Sequence, residues 1–127
     1  MTAGSQGDTR VLIVEDSFVV ADTLRYLIDG SGGFVSVIVP TIEKAFEALA
    51  ADAFDIAVLD VNLGGTSIVP FAQHLHARGV PFVFLTGYGD DKLLPEPLRI
   101  HPLFTKPVET EPLVRTLRAL TARRPRA

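Results

Sequence analysis

At 127 residues, 47% of them hydrophobic and 21% charged, the chain is long enough for one domain with a full core and too short for two. It has no cysteine, which excludes disulfides and thiolate chemistry, and its formal net charge of -3 gives no general attraction to nucleic acid. No apolar stretch approaches the ~20 residues that cross a bilayer, and residues 2–9 lack the basic-then-apolar order of a secretory signal, so no membrane partner and a cytoplasmic location are expected.

Residues 1–9 are small and polar and read as a flexible N-terminal tail. Val11-Leu12-Ile13-Val14 is then a short apolar run of strand type that stops at Glu15-Asp16. Ser17 is placed to cap a helix carrying Val20, Leu24, Leu27 and Ile28 at helical spacing and ending near Gly30. Phe34 to Val39 is a second strand closed by Pro40, and Thr41 caps a second helix with Ile42, Ala45, Phe46 and Leu49 on one face. Ile56 to Leu59 is a third strand, again ending in an acid, Asp60. Gly64-Gly65 turn the chain into a helix expected from Thr66 or Ser67, with Pro70 in its first turn and Gly79 at its end. Val80 to Leu85 is the fourth strand, followed by Thr86. Pro95 and Pro97 remove backbone donors, so only one or two turns are expected between Asp91 and Ile100. Pro102 to Thr105 is a short fifth strand, and Glu109 opens a last helix with Leu113, Leu117 and Leu120 inward. Residues 122–127, with Arg123, Arg124 and Arg126, read as a solvated basic tail, leaving a folded unit over residues 10–121.

Five strands alternating with helices imply parallel pairing, because a helix-length crossover returns the chain in the same direction. Near-continuous apolar strands suit a sheet covered on both faces, so the expected fold is α/β, a doubly wound five-stranded parallel sheet of flavodoxin-like type. In such sheets ligands gather at the carboxyl ends of the strands. Those ends carry Glu15 and Asp16, Asp60, Thr86, and Lys106 before Pro107. Three carboxylates together repel unless a proton or a cation relieves them. An all-oxygen donor set with no histidine or cysteine favours Mg²⁺. The cluster suits phosphoryl transfer onto a carboxylate, with Asp60 as nucleophile and acceptor, Lys106 pairing with a phosphoryl oxygen and Thr86 donating its hydroxyl to another. Taken singly, each residue has a plainer reading as a cap, a turn residue or a structural hydroxyl; their joint placement at one edge carries the inference.

The stretches Val11-Leu-Ile-Val-Glu15-Asp16, Ile56-Ala-Val-Leu-Asp60-Val-Asn62, Phe82-Val-Phe-Leu-Thr86-Gly87 and Phe104-Thr-Lys106-Pro107 resemble, in this order, the receiver domain of two-component response regulators, from about Arg10 to Leu120. The resemblance implies a phosphoprotein of the stand-alone, single-domain type. Its phosphoacceptor would be Asp60. Asp16, Asp60 and the backbone carbonyl of Asn62 would hold Mg²⁺, with Glu15 acting indirectly. Thr86, Gly87 and Lys106 would form the phosphate-binding switch. The implied partners are a histidine kinase or histidine phosphotransfer protein and a downstream protein, with the chain a monomer or weak dimer. It would be no enzyme beyond its own phosphorylation and dephosphorylation. With only a few residues after the last helix, output is expected through surface contacts, and residues 87–100 are the expected switching surface.

Two departures from the family pattern stand out. The position three before the lysine, aromatic in many receivers, holds Leu103, and a proline-broken segment follows Gly89 where the family has its fourth helix. Tyr88 either carries a substitute movement or only lines the site mouth. Phe84-Leu85-Thr86-Gly87-Tyr88 resembles the Phe-Ala-Thr-Gly-Tyr motif of a stand-alone subgroup, with Leu85 in place of alanine.

Three other readings fit the residues less well. A flavodoxin-like ligand binder wants a glycine- or hydroxyl-rich loop where Glu15-Asp16 stands. A phosphatase of the haloacid dehalogenase type wants a second acid where Asn62 stands. A receiver-like interaction module that is never phosphorylated would need none of these residues. His74 and His76, two apart on a helix, point to different faces, and all three histidines, His101 included, are expected at the surface. Phe18, Phe46, Phe54, Phe71 and Phe82 are expected in the core or at its edge.

Overall fold

The computed structural model describes residues 7–122, so most of both expected tails, Arg123, Arg124 and Arg126 among them, lie outside the described residues. In chain order the elements are β1 (Thr9–Val14), α1 (Phe18–Gly30), β2 (Phe34–Val39), α2 (Ile42–Ala51), β3 (Ile56–Asp60), β4 (Asn62–Leu63), β5 (Thr66–Ser67), α3 (Val69–Arg78) and β6 (Phe82–Thr86). Two 3-10 turns follow, Asp90–Leu93 and Glu96–Leu98, then β7 (Leu103–Thr105) and α4 (Thr110–Ala122).

The five main strands form one parallel sheet in the order β2-β1-β3-β6-β7. This is the doubly wound α/β fold expected from the strand and helix alternation. The reason is visible in β1: Leu12 and Val14 face one apolar layer, while Val11 and Ile13 face the other. The first layer packs Ala45 of α2 and Phe71, Ala72 and Leu75 of α3 against β1, β3 and β6. The second packs Ala21, Leu24 and Ile28 of α1 and Leu113, Val114 and Leu117 of α4 against the opposite face. Chain order reverses at β1, which has β2 on one side and β3 on the other, so a crevice opens between the carboxyl ends of β1 and β3.

Helix starts follow local chemistry. The Ser17 hydroxyl accepts the Val20 N–H at 3.3 Å, and the Thr41 hydroxyl accepts the Lys44 N–H at 3.1 Å. The third helix corrects the sequence reading: it begins at Val69, because residues 62–67 close a small antiparallel hairpin, with Asn62 opposite Ser67 and Leu63 opposite Thr66. The Asn62 side chain fastens the turn by accepting the Gly65 N–H at 2.7 Å. Pro70 does fall in the first turn of α3, and Gly79 closes it in the left-handed conformation.

Other expectations also change. Phe18, the first residue of α1, is 73% exposed, and Leu27 lies on the rim of its helix face. Phe46 is a core-edge residue whose ring meets Phe71 at 5.0 Å, edge to face. His101 is not a plain surface residue: its ring is half-buried and stacked on Phe82 at 3.8 Å. The segment after Gly89 is two short turns, as the prolines dictate, but Leu94 and Leu98 anchor it in the core.

Phe71 has no exposed surface and joins α2, α3 and the sheet. Phe71→Ala is expected to lower unfolding free energy by about 3–5 kcal/mol, read as a reduced midpoint in urea denaturation.

Candidate functional site

Each strand that ends at the crevice delivers a polar group there. β1 stops at Val14, and Glu15 continues the ladder by donating its N–H to the Val39 carbonyl at 3.1 Å. β3 ends on Asp60, in register with Leu85 of β6. β6 ends on Thr86, whose carbonyl accepts the Lys106 N–H at 2.8 Å. That bond extends the β6–β7 pairing by one residue and sets the lysine at the same edge. The Lys106–Pro107 peptide is cis.

The side chains converge. Carboxylate oxygens of Glu15, Asp16 and Asp60 lie within 4.8 Å of one another. Glu15 and Asp60 are 1% and 2% exposed, whereas Asp16 faces solvent. Lys106 Nζ stands between the two buried acids, 3.0 Å from Glu15 Oε1 and 3.1 Å from Asp60 Oδ2. It donates a hydrogen bond to Asp60, while its contact with Glu15 is an ion pair only, so Glu15 Oε1 has no hydrogen-bond partner. Glu15 Oε2 accepts the Ser17 N–H at 3.1 Å, and Asp60 Oδ1 accepts the Asn62 N–H at 3.3 Å.

Burial dominates the Glu15 carboxyl and pushes it up to about 7, against the pull of Lys106 and the Ser17 N–H; Asp60 adds to the rise. Burial also pushes the Lys106 ammonium down, but Glu15 and Asp60 outweigh it and hold the group above its ordinary value. The cluster therefore carries more negative charge than one lysine comfortably balances. Three carboxylates in reach of one point, only one lysine to balance them and an all-oxygen donor set fit a hard divalent cation.

The other sequence candidates fall into two groups. Thr86 is buried beside the cluster, and its hydroxyl donates to the Gly87 carbonyl at 3.0 Å. Asn62 follows β3, with its amide oxygen committed to the hairpin turn. Tyr88 and Leu103 are both exposed and make no contact with the acids among the described interactions. Sequence reading missed Gly64 and Asp90. A Cβ at Gly64 would stand 3.2 Å from Asp16 Oδ2, so the hairpin forms a wall of the acidic site. Asp90 Oδ2 stands 3.1 Å from where a Gly87 Cβ would be. A glycine pair after an acid strand hints at the first; nothing local signals the second.

Because Glu15 titrates from an ordinary 4.5 up to about 7 on folding, the native state holds more protons than the unfolded chain between those values. Its contribution to stability is therefore full below the unfolded value and lost as pH rises through the folded one. In metal-free buffer, the wild-type minus Glu15→Gln difference in urea stability is expected to fall across that window and level off above it.

With the fold and site in view, the chain can be set beside known proteins. Residues 11–118 match the family model described as "Response regulator receiver domain". The sensory transduction protein RegX3 of Mycolicibacterium smegmatis is 32% identical over 118 residues, covering 91% of this chain and 51% of that protein. The chain thus spans about half the length of the curated relatives it matches. Among solved structures, SdrG from Sphingomonas melonis Fr1 is 35% identical with a TM-score of 0.75, covering 90% of this chain and 97% of that one. The PhyR response regulator REC domain of Erythrobacter litoralis is 27% identical with a TM-score of 0.77, covering 97% and 98%. The strand order, the acid cluster at its switch point and these matches agree: the chain belongs to the response regulator receiver domain family of two-component systems.

Proposed function

We propose that this receiver domain takes a phosphoryl group onto Asp60 from a phosphohistidine of a histidine kinase or phosphotransfer protein. One observation carries the reading: a buried aspartate at the sheet's switch point, held by a lysine and flanked by two more acids from another strand. An Asp60 carboxylate oxygen attacks phosphorus, an acyl phosphate bond forms, and the phosphorus–nitrogen bond breaks with its electron pair passing to the imidazole. Asp16, Asp60 and the Asn62 carbonyl would hold Mg²⁺, with Glu15 acting indirectly; the ion supplies screening of phosphoryl-oxygen charge.

The protein's own groups do the rest. Once Asp60 is phosphorylated its negative charge gives way to that of the phosphoryl oxygens, and Lys106 follows it. Thr86 exchanges the Gly87 carbonyl for a phosphoryl oxygen, one hydrogen bond for another at little net cost. The Gly87 carbonyl also accepts the Asp90 N–H at 3.1 Å, the first bond of the 3-10 turn. Releasing Thr86 therefore alters the peptide that starts the 90–98 segment, and residues 87–100 become the signalling surface. Lys106 lines a groove of about 450 Å³ together with Val19, Leu24, Leu27, Pro107 and Val108. With Phe18 and Val19 exposed beside it, this is the apolar ground on which a phosphodonor protein would rest.

Phosphoramidate with Mg²⁺ is expected to add about 80 Da to the intact protein by mass spectrometry, and Asp60→Asn to abolish the addition; label persisting in that variant moves the acceptor elsewhere. For the metal, titration calorimetry is expected to show Asp16→Asn weakening Mg²⁺ binding by about tenfold or more, and Glu15→Gln by clearly less. Equal losses would undo the ligand assignment.

A further inference from the structure

The histidines take no part in the proposed phosphoryl chemistry, yet two of them meet. His76 stands exposed in the last turn of α3, and His101 lies half-buried just before β7. His76 Nδ1 and His101 Nε2 are 3.0 Å apart, with the rings edge to face at 5.2 Å. His101 at the same time stacks on Phe82, 3.8 Å between centroids and 24° between planes, and meets Phe84 edge-on at 6.3 Å. Both phenylalanines are fully buried in β6. The backbone joins in: His101 donates its N–H to the Leu98 carbonyl at 3.2 Å, so the ring is fixed to the end of the second 3-10 turn.

We propose that the His76–His101 contact is a proton-operated latch that holds residues 90–102 against α3 and β6 while at least one ring is neutral, and opens when both carry a proton.

The argument is a count of donors and acceptors. Two neutral imidazoles offer one donor and one acceptor to the contact, and a singly protonated pair still does. A doubly protonated pair has only donors, and two like charges face each other at hydrogen-bond distance. The only soft partner is the segment: α3 and β6 are regular elements packed in the core, whereas the 3-10 turns are held by two leucines and short-range bonds.

The charged groups around the pair do not remove the effect. Asp91 and Arg99 line the small cavity beside His101 with Leu94 and Leu103, and Arg99 donates its Nε–H to the Leu94 carbonyl at 3.0 Å. Their charges are opposite. α3 also carries Arg78, and His74, whose ring lies edge-on to Phe46 at 5.4 Å. The turns carry Asp90, Lys92 and Glu96. Burial, with a smaller push from His76, holds His101 below the ordinary imidazole value of 6.5. The opened segment therefore binds protons more readily than the latched one. Its closed state is favoured above that value and weakens as pH falls below it.

The segment links Thr86 to Lys106, so the latch sets how freely the proposed signalling surface moves, but it does not require the phosphoryl chemistry. The test uses the unmodified chain for that reason. Native-state amide exchange, corrected for intrinsic rates, is measured by NMR at about pH 7.5 and about pH 5.5. Protection at the Leu98, Arg99 and His101 amides is expected to drop about tenfold at the lower pH, while amides of β1 and β3 change little. His101→Phe keeps a ring on Phe82 and is expected to abolish the drop. His76→Gln removes the facing charge but leaves one buried titrating ring, and is expected to diminish the drop without abolishing it. A flat wild-type profile overturns the latch, as does an undiminished drop in either variant.

Discussion

One ammonium group between two buried carboxylates is the interaction on which the business end of this fold depends. Glu15 and Asp60 leave adjacent strands at the point where chain order reverses, and both are withdrawn from water. Two such charges repel strongly at low dielectric, and neither would stay buried and ionised without a counter-charge. Lys106 supplies it from β7, the far edge strand on that side of the sheet, two places from β3. A short strand of three residues thus matters more than its burial suggests, because its register on β6 is what sets the lysine in place.

The balance is incomplete, and the incompleteness is informative. Glu15 Oε1 has an ion-pair neighbour but no hydrogen bond, and burial drives its carboxyl toward the protonated form. An excess of buried carboxylate over cationic charge is the kind of imbalance that a divalent cation would relieve. Around it the molecule divides by stiffness. The sheet and its four helices bury two continuous apolar layers. Residues 87–102 carry no regular helix or strand and are tied down by Leu94 and Leu98 in the core, the Gly87 carbonyl at one end and the histidine pair at the other. A small change at either tie acts on the segment with the least to lose.

Much of this was legible in the residues. Strands such as Val11–Val14 and Ile56–Leu59 are short, β-branched and apolar on both sides, a pattern that only a doubly covered parallel sheet satisfies. The acids, the threonine and the lysine could be placed at one edge because parallel strands all point the same way. What escaped was non-periodic. The hairpin at residues 62–67 rests on an asparagine side chain and two glycines rather than on an apolar repeat. Phe18 looks like core by composition and is 73% exposed at the first position of α1. His101 looks like loop by composition and is stacked on Phe82, 19 positions earlier in the chain.

The chain alone determined the architecture and the inventory of its reactive edge, since hydrophobic period and strand polarity follow from local order. Tertiary structure decided who touches whom. The pairing of Lys106 with Glu15 and Asp60, the orphaned oxygen of Glu15, the commitment of the Thr86 hydroxyl to Gly87 and the meeting of His76 with His101 all join residues whose geometry depends on strand register and helix docking. Those are set by the packing of the whole core. No local pattern encodes a distance between side chains that only a finished sheet brings together.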